Sequence, residues 1–166
     1  MVTPNYIIDG YNLLHCFREL GRLADSDLEL ARSGLVRRLA AFKGRKRIRL
    51  KVVFDGRPDD GQLLTTRPLG IETVFSGAQS ADERIVKMVR VLRRPKSWTV
   101  VSSDRWVKDH VAVHGVQTLN SGRFAELLPD PGARTSPAQG EKPEMSAQDV
   151  SEWEEYFRSG REGAGE

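Results

Sequence analysis

The sequence predicts an α/β fold organised around a parallel sheet. Short apolar runs recur along the chain, helical periodicity fills the intervals between them, and carboxylates stand where the runs end. Strands alternating with helices imply right-handed crossovers and helices on both faces of the sheet. A carboxylate outside the carboxyl end of a parallel strand points into the crevice where such proteins bind ligands.

The first strand covers about residues 5–9 and closes on Asp9. Beyond Gly10, Tyr11 and Asn12, the spacing of Leu13, Leu14, Phe17 and Leu20 predicts one short helix. A second helix runs from Leu28 to Phe42, with Leu28, Ala31, Leu35, Leu39 and Phe42 on one face and Gly44 near its end. The second strand, 49–54, is followed by Asp55 and a turn at 57–61. The third strand is about 71–75, and a helix from Asp82 to Leu92 turns Ile85, Met88, Val89 and Leu92 inward. The fourth strand, 98–102, leads to Asp104 and a helix from about Arg105 towards Gly115. A fifth strand at 116–119 precedes a final helix, capped by Ser121, that carries Phe124, Leu127 and Leu128. These elements make residues 1–128 the folded domain. Residues 129–145, rich in Pro, Gly, Ser, Ala and charge, read as a flexible linker. Residues 146–158 read as a short acidic helix with Val150, Trp153 and Phe157 on one face, and 159–166 as a disordered tail. A stripe that small does not fold alone, so it is expected to dock on a protein surface, its own, that of a second copy or that of a partner.

The chain of 166 residues is long enough for one domain with a real core. No apolar run approaches the length of about 18 residues that suggests a membrane span. The start is strand-like, without the basic and apolar segments of a signal peptide. Cys16 is the single cysteine, reads as a small core residue and has no partner for a disulfide. A cytoplasmic location is expected on these grounds. The net charge of +3 conceals an asymmetry. Residues 1–128 hold 22 Lys and Arg against 14 Asp and Glu, and residues 129–166 hold 4 against 9. A basic body with an acidic pocket suits a polyanion held by its phosphates and worked on by a metal ion.

Asp9, Asp55 and Asp104 follow three of the strands, and Asp82 and Glu83 open a helix past a fourth. Carboxylates converging there from distant parts of the chain make a pocket that a hard divalent cation fills well. Each has a plainer reading. Asn12 and Asp104 suit helix caps. Asp55-Gly56 is ordinary turn chemistry. Asp82 and Glu83 complement a helix dipole. The basic residues Lys43, Arg45, Lys46 and Arg47, with a second cluster at Arg93 and Arg94, suit either a solvated face or RNA phosphates. His110 and His114 have metal-ligand spacing but no third His or Cys to support them.

Four segments then carry a resemblance: Asp9-Gly10-Tyr11-Asn12, Val53-Phe54-Asp55-Gly56, Phe75-Ser76 through Ala81-Asp82-Glu83, and Val101-Ser102-Ser103-Asp104-Arg105. In order, at matching strand ends, they resemble the NYN-domain proteins of the YacP-like group, within the PIN-like nuclease superfamily. The likeness covers about residues 4–128. It implies a three-layer fold with strand order 3-2-1-4-5 and a metal-dependent ribonuclease, typically an endonuclease. It makes Asp9, Asp82 and Asp104 the acids that bind Mg²⁺ or Mn²⁺, one ion or two. Asn12 and Ser103 become polar supports and Asp55 a pocket member. The chain departs from the pattern at Glu83, where many relatives carry Asp. It also departs after Asp104, where Asp109 is the one nearby substitute for a further acid.

Hydrolysis by metal-held carboxylates needs no side-chain nucleophile, and the sequence offers none. Single-stranded RNA, free or presented by a particle such as the ribosome, is the expected substrate. Lys and Arg on the rim are expected to hold its flanking phosphates, with Tyr11 or Trp106 available to stack a base. Two other functions fit the same residues. One is a module that binds RNA or a ribonucleoprotein without cutting it. The other is a metal-dependent phosphatase for a small molecule, which Gly10-Tyr11 disfavours because the haloacid-dehalogenase type wants Asp-x-Asp there. Metal-dependent cutting of RNA separates the first from the others.

Overall fold

The computed structural model describes residues 4–58 and 64–129. Among them six strands form one sheet: β1 (Asn5–Asp9), β2 (Leu50–Phe54), β3 (Thr65–Thr66), β4 (Glu72–Phe75), β5 (Trp98–Val101) and β6 (Gln117–Leu119). Their order is β3-β4-β2-β1-β5-β6, with every pairing parallel except β3 on β4. Without β3 this is the expected 3-2-1-4-5 sheet. The two-residue β3 was not foreseen, since two threonines carry no alternating pattern to read.

The helices are α1 (Gly10–Leu14), α2 (Arg18–Ser26), α3 (Leu28–Lys43), α4 (Ala81–Arg90), α5 (Arg105–Ala112) and α6 (Ser121–Leu127). Ile7 and Ile8 of β1 are both wholly buried. A strand in the middle of a parallel sheet needs an apolar residue on each face. Ile8 and Phe54 enter a core with Leu35 and Leu39 of α3 and Phe124 of α6. Ile7 and Val53 enter a second core with Ile85 and Val89 of α4 and Val107 and Val111 of α5. The result is three layers, helices on sheet on helices.

Four local expectations are corrected. The single helix expected across Leu13 to Leu20 is two, because Phe17 is extended (φ −104°, ψ 116°) between α1 and α2. Apolar spacing carries through such a short break and conceals it. Leu28 is 40 % exposed rather than inward, being the first residue of α3. Cys16 is exposed, not a core residue. Ser121 does not cap α6, since Asn120 holds that position and the buried Ser121 hydroxyl turns to Asn12 instead. The linker, acidic helix and tail expected beyond Pro129 lie outside the described residues.

Candidate active site at the carboxyl edge of the sheet

Parallel pairing aligns the carboxyl ends of β1, β2, β4 and β5, so the residues that follow them share one edge of the sheet. Asp9 is the last residue of β1 and is only 8 % exposed. The next residue must be small. A Cβ at position 10 would stand 2.5 Å from the Phe54 ring and 2.8 Å from the Val53 carbonyl oxygen. A ring can turn aside, but the strand carbonyl has nowhere to go. Gly10→Ala is therefore expected to destabilise the fold by about 1–3 kcal/mol, the usual range for overpacking, read as a lower urea midpoint. Unchanged stability would show that β1 and β2 do not meet this tightly.

Ser102, fully buried after β5, ties two of the acids together. Its hydroxyl donates to Asp9 Oδ2 at 3.2 Å and accepts the Asp104 N–H at 3.1 Å. Burial raises the Asp9 pKa to about 6. The Ser102 hydrogen bond opposes the rise, and the negative charges of Asp82 and Asp104 add to it. The Asp82 pKa is raised by burial first, then by Asp104, Asp55 and Glu83. Asp9, Asp55, Asp82 and Asp104 thus occupy one electrostatic neighbourhood. No Lys or Arg among the described residues forms an ion pair with any of them.

The plainer roles are present too. Asp104 Oδ1 accepts the Val107 N–H at 3.2 Å and so caps α5. Asp55 Oδ1 accepts the Ala81 N–H at 3.0 Å, which ties the end of β2 to the start of α4 and sets Asp82 at the edge. Ser80 caps α4 through the Glu83 N–H, and the Glu83 side chain is exposed. Asn12 uses its carbonyl oxygen twice, accepting from the Ser103 N–H at 2.9 Å and from the Ser121 hydroxyl. Ser103 in turn accepts the Ser121 N–H at 3.2 Å. Asn12 and Ser103 therefore lock α1, the β5–α5 turn and α6 together. Asp109 lies exposed on α5 and is not among the charges acting on Asp9 or Asp82. His110 faces the Trp106 carbonyl at 2.7 Å and stacks on the Trp106 ring at 3.9 Å, so its ring answers to its own helix.

From sequence, Ser102 reads as a hydroxyl for a phosphate or a metal-bound water and Ser121 as a helix cap, and Arg32 carries no reading; the structure gives all three other partners. Ser102 and Ser121 act through bonds to partners 93 and 109 positions away, which local pattern does not show. Arg32 of α3 donates to the Tyr11 hydroxyl at 3.0 Å and lies over the Phe75 ring at 5.1 Å. That places a cation beside the ends of β1 and β4. It is visible in sequence only as one more charge on a helix.

The basic residues lie elsewhere. Lys43, Arg45, Lys46 and Arg47 occupy the end of α3 and the turn that enters β2, and Arg93 and Arg94 precede β5. In a parallel sheet those turns sit at the amino edge, opposite the acids. They do not rim the acidic crevice as the sequence reading expected.

The donor set is of the kind a hard divalent cation takes: carboxylate oxygens, partly buried, with no Lys or Arg among the described residues paired to them. Among the described residues no three His, Cys, Asp or Glu side chains are gathered closely enough to hold an ion by themselves.

A three-layer α/β domain with acids along the carboxyl edge of a 3-2-1-4-5 sheet is the architecture that the PIN-like resemblance implies. The chain belongs to the family described as the YacP-like NYN domain, whose match covers residues 6–156. It is 30 % identical over 87 residues to the uncharacterised protein YacP of Bacillus subtilis, strain 168, across 52 % of this chain and 51 % of that protein. The chain thus aligns with about half the length of that curated relative. The crystal structure of Rae1 (YacP) from Bacillus subtilis matches with a TM-score of 0.60 at 23 % identity, covering 75 % of this chain and 74 % of that one. A point variant of the same protein matches equally, over 76 % of its chain. No helix among the described residues is long and apolar enough to cross a membrane.

Proposed function

We propose that this domain is a divalent-metal-dependent endoribonuclease acting on single-stranded RNA. The observation that carries the reading is Asp9, buried in the field of Asp82 and Asp104 with no Lys or Arg among the described residues paired to it. Burying like charges without compensation is costly, and a bound cation removes the cost. Asp9, Asp82 and Asp104 would hold the ion, Mg²⁺ or Mn²⁺. When bound, it supplies Lewis acidity and counter-charge for phosphodiester hydrolysis.

The remaining residues serve geometry. Ser102 fixes the Asp9 carboxylate, and Asp55 fixes the start of α4 beneath Asp82. Asn12, Ser103 and Ser121 brace the turn that carries Asp104. The amino ends of α4 and α5 face the same edge, and helix amino ends favour phosphate. Arg32 is the cation best placed for a phosphate next to the scissile one. The endonucleolytic form rests on the resemblance of the four strand-end motifs. RNA, free or on a larger particle such as the ribosome, is the substrate this reading assigns.

The capping roles of Asp104 and Asp55 favour a second reading, a module that binds RNA without cutting it. A fluorescent single-stranded RNA incubated with the protein in Mg²⁺, Mn²⁺ or EDTA separates the two. Internal cuts in either metal and none in EDTA are expected. Binding without cutting would leave the module, and cutting that persists in EDTA would remove the metal.

A further inference from the structure

The amino edge of the sheet carries a groove of about 1700 Å³. Its floor is where the strands begin, at Asn5, Lys51, Glu72 and Trp98, and its walls bear Arg47, Arg84, Lys87, Arg93, Arg94 and Lys96. Small-molecule pockets enclose about 300–1,000 Å³, so this open groove has room for a length of polymer. Glu72 is the one carboxylate among the lining residues, and it already pairs with Lys51 at 3.3 Å and Arg67 at 3.2 Å. None of the six wall cations pairs with a carboxylate among the described residues. Like charges gathered in a concave surface focus the field on an anion.

The groove also selects what part of a nucleic acid it takes. Its aromatic residue, Trp98, is buried, with Arg49 and Lys51 over its ring at 5.5 and 5.3 Å. The one other aromatic ring in the lining is that of the half-buried His114. Six cations against one half-buried ring favour phosphate over base.

Position separates it from the acids. β1 has five residues and α4 has ten, each a span of about 13 Å from first Cα to last at strand and helix rises. Asp9 and Asp82 stand at one end of these elements; the groove lies mainly at the other, at Asn5, Lys51, Trp98 and residues 91–97, with Arg84 carrying its wall back along α4.

We propose that this groove is a second RNA-backbone site, which grips phosphates of the substrate strand away from the bond that is cut. It rests on the ribonuclease reading for its ligand class and extends it, since that reading asks only for an acidic crevice. A strand held at both edges must run round the domain, so length of RNA becomes a determinant of affinity.

The test is binding measured in EDTA, where no cleavage is needed. A short RNA of about 4 nucleotides and one well beyond about 16, the span of single-strand site sizes, are titrated by fluorescence anisotropy over a range of salt. The triple change Arg47→Ala, Arg93→Ala, Arg94→Ala is compared with Arg18→Ala, Arg22→Ala, Arg123→Ala. All six residues are exposed and both variants lose the same charge. A second groove variant, Lys87→Ala with Lys96→Ala, guards against a folding defect in the first. With the long RNA the groove variants are expected to bind weakly. The slope of log K against log salt should flatten by about 0.7 per lost contact, near 2 for the triple change. The control should keep the wild-type slope, and the short RNA should bind all proteins alike. Equal losses in groove and control variants would mean net charge alone is at work. A loss with the short RNA would place the groove within the cutting site. Either result overturns the proposal. If duplex RNA displaces nothing from the wild type while a long single strand does, the substrate strand is the occupant. Displacement by duplex alone would assign the groove to a separate structured RNA and overturn the proposal as stated. Should cleavage fail in Mg²⁺ while the slope still falls, the ribonuclease reading goes and the groove stays.

Discussion

Replacing Asp9 by Asn is expected to end RNA cleavage and, in the same protein, to raise stability at neutral pH. Both effects come from one buried charge. Burial first, and the charges of Asp82 and Asp104 after it, hold the Asp9 pKa at about 6, against 3.8 for the free side chain. A carboxyl group whose folded pKa is raised stabilises the fold while protonated. That contribution is complete below about pH 3.8 and is lost as pH climbs through about 6. Above that range the ionised Asp9 works against the fold by about 3 kcal/mol, taking about 1.4 kcal/mol per unit. Asparagine is neutral throughout, and its oxygen still accepts the Ser102 hydroxyl. In EDTA at about pH 8, urea unfolding should find Asp9→Asn more stable by about 1–3 kcal/mol, and at about pH 5 the gap should narrow. Mg²⁺ should then stabilise the wild type and leave the variant unmoved. A variant less stable than wild type at the higher pH would mean that Asp9 is balanced by something other than a metal. A variant that still cuts would remove Asp9 from the chemistry.

The part of this molecule that could be read from sequence is the part written in local pattern. β1, β2, β4 and β5 bury apolar residues on both faces and stand out as short runs, even with Lys51, Thr73 and Thr99 inside them. Their ends fix where Asp9, Asp55, Asp82 and Asp104 lie, since parallel strands all point one way. The bracing of that edge was not legible. Asn12 meets Ser103 and Ser121 across 91 and 109 positions, and nothing in short-range spacing records such a bond. The break between α1 and α2 was hidden because apolar periodicity passes through it. The basic residues were misplaced for a different reason. Their density was plain, but density has no direction. Arg47 precedes β2, and Arg93 and Arg94 precede β5. The rule that sets residues after a parallel strand at one edge sets those before it at the other, and it separates the cations from the acids.

Asp104 has two roles, and Asp104→Asn is expected to keep one and lose the other. As a cap, Asp104 accepts the Val107 N–H through Oδ1 at 3.2 Å, and its own N–H goes to the Ser102 hydroxyl. Asn is as good a cap as Asp, and substitution by Ala costs about 1 kcal/mol. Helix α5 should therefore start at the same place in the Asn variant, and its thermal midpoint should move little. The carboxylate charge is a different matter. Asp104 is the charge that acts most strongly on Asp82 and one of two that act on Asp9. Without it the acidic field at the sheet edge weakens and an ion loses a ligand. Loss of a partner behind a metal ligand commonly costs about 10–100-fold in affinity or activity, and loss of the ligand itself should cost at least that. Cleavage is expected to fall by about 100-fold or more while RNA affinity in EDTA holds or improves, since one negative charge facing the phosphates is gone. Asp104→Ala is the companion. It should lose cleavage to the same extent and stability as well. If Asn cuts at the wild-type rate while Ala unfolds early, Asp104 is a cap and nothing more, and the candidate site must close around Asp9 and Asp82 alone.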